Sequence, residues 1–213
     1  MNFKDFAERM SKIENLDLPG SASHHKMVPL FRQKELAARA TEKRNPKKAA
    51  VMALFYPDMG NNTNLLLILR NTYPGIHSNQ IGLPGGKVEV GDKSLLDTAL
   101  RETREEVGAD PANIRVIRHL TDIFIPPSNF EVTPYLGLYQ KERPFLLQEE
   151  EVAELVEVPL YEFMDDRKII YQKLTTSYAK NVEVPAFKLK GYTVWGATAM
   201  MLSEIKELFK QVL

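Results

Sequence analysis

The 213-residue chain has no cysteine, and that absence removes disulfides, thiolate metal sites and a cysteine nucleophile together. Any metal must use oxygen ligands or the four histidines. Net charge is missing too: 28 Lys plus Arg balance 28 Asp plus Glu, so no whole-molecule field favours nucleic acid or an anionic membrane, and an anion site has to be local. No apolar run approaches the ~18 residues of a membrane span. The opening MNFKDFAERMSKIENL alternates charged and apolar residues where a signal peptide needs an unbroken apolar stretch. These absences read as a soluble, cytoplasmic protein that binds neither nucleic acid nor membrane. What is plentiful is apolar: 44% hydrophobic residues can bury a core, and the length suits one domain over residues 1–213.

Phe3, Phe6, Met10 and Ile13 recur at helical spacing, which predicts an amphipathic helix stopped at Leu18-Pro19-Gly20. From Phe31 to Lys48 the chain is basic, with Arg32, Lys34, Arg39, Lys43, Arg44, Lys47 and Lys48, and reads as a solvated helix and loop that completes an N-terminal extension of residues 1–48. The core, residues 49–213, opens with strands at Ala49–Tyr56 and Asn64–Arg70, joined as a hairpin by Asp58-Met59-Gly60-Asn61-Asn62. Further strands are predicted at Ile114–Phe124, Val132–Tyr139, Val152–Val158 and Val182–Leu189, and a closing helix at Thr198–Leu213. Strands interleaved with a few helices predict an α+β fold, an α/β/α sandwich with a mixed sheet between helices. The apolar stripes at the two ends can pack within one subunit or form the seam of a homodimer.

The chemistry is concentrated between Gly82 and Gly108. Gly82-Leu83-Pro84-Gly85-Gly86-Lys87-Val88-Glu89-Val90-Gly91-Asp92 has four glycines and a proline, so it is a loop whose backbone can approach a metal or phosphate without Cβ interference. Asp92 or Ser94 can cap the following helix, Asp97 completes a capping-box pattern, and Gly108 suits its C-terminal end. On that helix Glu102, Glu105 and Glu106 share one arc, while Ala99, Leu100, Thr103 and Val107 supply the anchoring face. Carboxylates about 5 Å apart repel by roughly 3 kcal/mol per pair at an effective dielectric near 20. A divalent cation relieves that, and hard oxygen ligands select Mg²⁺ or Mn²⁺. The plain alternative is a solvated helix face with an Arg101–Glu105 pair; the glycine turn and Gly108 weigh against it.

At these residues the sequence resembles the Nudix hydrolases, whose signature is G-x5-E-x7-R-E-U-x-E-E-x-G-U with U aliphatic. Gly86, Arg101, Glu102, Glu105, Glu106 and Gly108 match. Asp92 replaces the first acidic residue, eight residues rather than seven precede Arg101, and Thr103 and Ala109 fill positions that are usually aliphatic. The Asp and the added residue are similar to the coenzyme A diphosphatase branch, as are the strand ending in Arg70, His77, Gln80 and Pro84-Gly85-Gly86, although Asn79 stands for Gly and Leu83 for Phe. Val132-Thr133-Pro134, Glu151-Val152, Pro159-Leu160 and Trp195-Gly196-x-Thr198-Ala199 extend the resemblance to the C-terminus.

The resemblance implies hydrolysis of a nucleoside-linked diphosphate, above all coenzyme A to 3′,5′-ADP and 4′-phosphopantetheine. Glu102 and Glu106 would hold the cation with help from Glu105 and the carbonyl of Gly85 or Gly86. Arg101 would orient the carboxylates, Glu105 or Glu151 would serve as general base, and Arg70, His77 and Gln80 would meet substrate. Glu151 can equally be one more surface charge in the run Gln148–Glu151. Trp195 and Tyr192 can stack on adenine or sit in the core, and His24 and His25, with no carboxylate near them in sequence, are expected to be exposed. Two other readings compete: a Nudix enzyme for ADP-ribose or NADH-type dinucleotides, and a non-catalytic Nudix-like ligand-binding module.

Overall fold

The computed structural model describes residues 1–29, 32–33, 45–71, 79–141, 145–175 and 181–213. Its centre is strand β1 (Lys47–Pro57), which is apolar almost without interruption because both of its faces are covered. Ala49, Ala53 and Phe55 point into one hydrophobic cluster and Ala50, Met52, Leu54 and Tyr56 into another, as the two-residue period of a strand requires. β2 (Thr63–Arg70) repeats the division, with Leu65 and Leu67 on the first side and Leu66 and Ile68 on the second.

Around this pair an eight-stranded mixed sheet forms. β2 runs antiparallel to the C-terminal half of β1, at Leu54–Pro57, while β4 (Gly85–Lys87) runs antiparallel to its N-terminal half, at Ala49–Val51. β7 (Phe130–Tyr139) lies parallel along the other edge of β1. The remaining strands are antiparallel: β3 (Ile81–Gly82) and β8 (Val152–Pro159) on β2, β5 (Ile114–His119) and β6 (Ile123–Ile125) on β7. The strand expected over Ile114–Phe124 is therefore two. They part opposite Pro134, which has no N–H to give; its carbonyl takes the Leu120 amide at 2.8 Å, and Thr133 donates to Asp122 at 2.5 Å. A second sheet has the order β11 (Tyr192–Val194), β10 (Val182–Leu189), β9 (Ile169–Leu174).

Helices cover both faces of the main sheet, as the sandwich reading expects. Helix α1 (Phe3–Met10) and the long C-terminal helix lie on one side, where Phe6, Phe55 and Phe209 pack with ring centroids 5.0–5.3 Å apart. On the other side Ala99 and Val107 anchor helix α3 (Leu95–Val107) against Met52, Leu54 and Ile68. Helix α2 (Gly20–His25) and α4 (Leu160–Met164) precede the last helix, α5 (Gly196–Phe209), which begins two residues before its expected start. The basic stretch is not one solvated unit. Lys47 and Lys48 open β1, Lys47 over the Phe130 ring and Lys48 paired with Glu131, and Arg32 is buried. Lys34, Arg39, Lys43 and Arg44 lie outside the described residues.

His25 is exposed as expected, but His24 is buried, and the reason lies 180 residues away. Glu204 of α5, itself fully buried, meets His24 Nε2 at 3.1 Å and accepts from Thr121 Oγ1 at 2.6 Å and from the Thr121 and Gly20 amides at 3.2 Å each. Burial alone would raise this carboxyl; the bonds from His24 and Thr121 outweigh it and hold Glu204 below the usual range. Glu204→Ala is expected to cost about 3–5 kcal/mol in urea unfolding at neutral pH, since it leaves buried donors without an acceptor. A carboxyl lowered in the fold stabilises above its unfolded pKa and loses that contribution as pH falls through its folded value. The difference between wild type and variant should therefore narrow in acid.

Candidate active site

β4 brings the glycine turn against α3 because β1 holds it there: Met52 N–H donates to Pro84 O at 2.8 Å, and Ala50 pairs with Gly86. Gly85 has φ +145°, and a Cβ on it would lie 2.3 Å from the Ala50 carbonyl. A Cβ on Gly86 would lie 2.4 Å from the Glu102 carboxyl group. Only glycine lets the backbone come this near to a carboxylate.

Helix α3 is capped by Ser94, whose Oγ accepts the Asp97 amide at 3.1 Å, while Asp97 takes the amide of Lys93. It ends at Gly108 with φ +71°. Asp92 does not cap the helix. Its carboxylate receives Arg101 Nε and Nη2 at 2.9 and 3.0 Å, Thr98 Oγ1 at 2.8 Å and the Glu89 amide at 2.9 Å, and the Arg101 bonds first of all hold it far below the usual carboxylate range. Arg101 spends its other donors on Glu102 Oε1 (3.1 Å), Glu105 Oε2 (2.8 Å) and the Lys87 carbonyl (3.1 Å). One guanidinium thus ties the turn, the acidic residue and two helix carboxylates into a single unit.

The three helix carboxylates have different surroundings. The Glu106 side chain is 1% exposed, accepts the Gly85 amide at 2.7 Å and meets Arg70 Nη1 at 3.1 Å. Burial, reinforced by the charges of Glu102 and Glu151 and opposed by Arg70 and the Gly85 amide, pushes it up to about 7. Glu102 is raised by burial in the first place, against the pull of Arg101. Glu105 is half exposed and faces Arg101. Among the described residues, no three acidic or imidazole side chains converge closely enough to hold a metal by themselves. The Glu106 carboxylate and the Gly85 carbonyl do meet on one guanidinium, Arg70, at 3.1 and 2.8 Å, and the Glu102 carboxyl lies against the next residue of the turn, Gly86. Hard oxygens, a buried acid raised in pKa and a turn that a Cβ would block fit a small divalent cation.

Glu151 comes from a downstream loop fastened beside α3. Leu146 and Gln148 amides donate to the Val107 and Glu106 carbonyls at 3.0 and 3.2 Å, and Asn71 N–H donates to Glu151 O at 2.9 Å. Glu151 is exposed, yet its charge raises both Glu102 and Glu106. Gln80 is half-buried and gives its backbone carbonyl to the Arg70 amide at 3.1 Å. His77 lies outside the described residues.

Beside the turn opens a cavity of about 570 Å³, in the range of small-molecule sites. Arg70, Gln80 and Gly85-Gly86 form its polar end; Phe124 to Pro127 form one wall, Trp195 and Met200-Met201 another, and Met27, Val28 and Arg32 a third. Trp195 is therefore half-buried against the cavity, while Tyr192 donates to Glu154. Arg32, 7% exposed, is a wall residue that sequence reasoning missed. Its position inside a run of charges hid it.

Residues 46–176 match the NUDIX domain family. The chain is 35% identical over 152 residues to the uncharacterized Nudix hydrolase NudL of Pectobacterium atrosepticum, covering 66% of this chain and 72% of that protein. It is 34% identical over 143 residues to its counterpart in Yersinia enterocolitica, covering 67% and 72%. The solved structure of the M. smegmatis Nudix hydrolase RenU shares the fold with a TM-score of 0.52 at 15% identity, over 79% of this chain and 88% of that one. The chain belongs to the Nudix hydrolase family. It is an enzyme of that class.

Gly86→Ala tests the close approach. The fold should survive, because the colliding atoms are the far end of a flexible side chain, but Glu102 must move. Hydrolysis is expected to fall by about 10²-fold with little change in melting temperature; full activity would show that the Glu102 position does not matter.

Proposed function

We propose that the enzyme hydrolyses the diphosphate of coenzyme A or its derivatives, releasing 3′,5′-ADP and 4′-phosphopantetheine. The observation that carries this reading is the cavity. Its polar end is the glycine turn and Arg70, its walls are mostly apolar, and a buried arginine stands in one of them. Such a chamber suits a substrate with a diphosphate, a long uncharged arm and a further anionic group. Arg32 is assigned to that further group, the 3′-phosphate; a guanidinium has five donors and can serve more than one acceptor. The Asp92 substitution and the added residue before Arg101 favour the same branch.

Glu102, Glu106 and the Gly85 carbonyl would hold Mg²⁺ or Mn²⁺, with Gly86 keeping the approach open and Glu105 completing the acidic face. When bound, the cation neutralises the diphosphate and lowers the pKa of an attacking water. The chain supplies the rest. Arg101 keeps the carboxylates in place without touching substrate, Arg70 and Gln80 meet the diphosphate end, and His77 is assigned to the same end from its sequence position. Glu151 is the better placed base, being exposed and within electrostatic reach of both Glu102 and Glu106, whereas Glu105 is engaged by Arg101.

Mass analysis of products from coenzyme A, dephospho-coenzyme A, ADP-ribose and NADH, with Mg²⁺ or Mn²⁺, tests the proposal. Coenzyme A should give 3′,5′-ADP fastest, and Glu106→Gln should cut the rate by at least about 10²-fold. Faster turnover of ADP-ribose or NADH would overturn the substrate and keep the chemistry; no turnover of any would favour a ligand-binding module. Arg32→Met should raise KM for coenzyme A by about tenfold and largely abolish its advantage over dephospho-coenzyme A. Equal effects on the two would remove Arg32 from phosphate recognition.

A further inference from the structure

Arg70 stands where the cavity and the helix carboxylates meet. The residue lines the cavity, and its terminal nitrogens reach Glu106 Oε1 at 3.1 Å and the Gly85 carbonyl at 2.8 Å. Its backbone is fixed at the end of β2 by the bond to Gln80. Arg70, Gly85 and Gly86 line the cavity, whereas Glu102, Glu105 and Glu106 do not.

We propose that Arg70 is an exchangeable counterion: it holds Glu106 and the Gly85 carbonyl until a divalent cation takes those oxygens, and the guanidinium then turns into the cavity to meet the diphosphate. The inference rests on the metal ligands assigned above. A cation about 2.1 Å from a ligand oxygen would lie within a few ångströms of the guanidinium bonded to that same oxygen, and two positive groups so close repel. Glu106 is 1% exposed, and a carboxylate so buried needs a positive partner whenever it is ionised. Arginine forks bind phosphate as readily as carboxylate, so the exchange replaces the bonds that Arg70 gives up. Arg70 is thus a positioning residue for the metal ligands first and a substrate contact second.

Mn²⁺ binding to the substrate-free protein, followed by electron paramagnetic resonance at one fixed pH, reads this directly. Arg70→Met is expected to bind Mn²⁺ about tenfold more tightly than wild type, because the competing charge is gone. Arg70→Lys should fall between them, since a single ammonium spans both acceptors less well. In thermal unfolding, Arg70→Met should melt lower in chelator and gain more from Mn²⁺ than wild type does. Its hydrolysis should stay impaired at saturating Mn²⁺, because the diphosphate contact is lost as well. Binding by Arg70→Met that is equal to or weaker than wild type overturns the exchange; if that variant does not fold, binding by Arg70→Lys no tighter than wild type does so. Wild-type Mn²⁺ binding that is unaffected by Glu106→Gln would instead overturn the ligand assignment beneath it.

Discussion

A backbone without side chains, pressed between a strand and an acidic helix, sets the terms for the rest of the site. Gly85 has no room for a Cβ because the Ala50 carbonyl occupies that space, and Gly86 has none because the Glu102 carboxyl does. The turn is therefore clamped from both sides. β1 is the fixed wall, since its two faces belong to two different hydrophobic clusters. A shift of β1 by one residue would exchange those faces, so the register that places the turn is protected by the whole core. The precision of the site comes from packing at a distance from it.

Two arginines then divide the acidic helix between them. Arg101 faces Asp92, Glu102 and Glu105, and Arg70 faces Glu106. Without them, carboxylates one helical turn apart beside a backbone turn would repel and draw in water. With them, Glu106 can stay buried although burial pushes its pKa up to about 7. That is a cost to the fold, since a buried carboxyl raised in pKa disfavours the ionised form. The cost is intelligible if the site's task is to receive positive charge.

Local features were legible in the sequence because their causes are local. The Ser94 cap, the positive φ of Gly108 and the shared arc of the glutamates follow from residues within a few positions of one another. The sandwich followed from alternating strands and amphipathic helices. The break between β5 and β6 was not legible, because Pro134 that causes it sits on the neighbouring strand. Nor was the burial of His24, whose partner is Glu204 on the last helix, or of Arg32, whose neighbours in sequence are solvating charges. β9 was missed although its alternating exposure suits an edge strand, because its residues IIYQKL follow a charged turn with no hairpin signal.

The departures from the family pattern show how much of that pattern is physical requirement. Asn79 has φ +55°, a left-handed conformation that asparagine tolerates better than other side chains. Thr103, in a usually aliphatic position, is fully buried; its hydroxyl donates to the Ala99 carbonyl at 2.6 Å, which leaves the methyl to pack. Asp92 has a shorter side chain than the glutamate it replaces and stands one residue further from Arg101 in sequence, yet it receives two bonds from that guanidinium. The ion pair therefore forms in this chain with the shorter acid at the longer spacing. By the same reasoning, Gly85 has no workable substitute here, because the Ala50 carbonyl that fills its Cβ position is part of the β1 backbone, whereas the Glu102 side chain beside Gly86 can move at the cost of its own position.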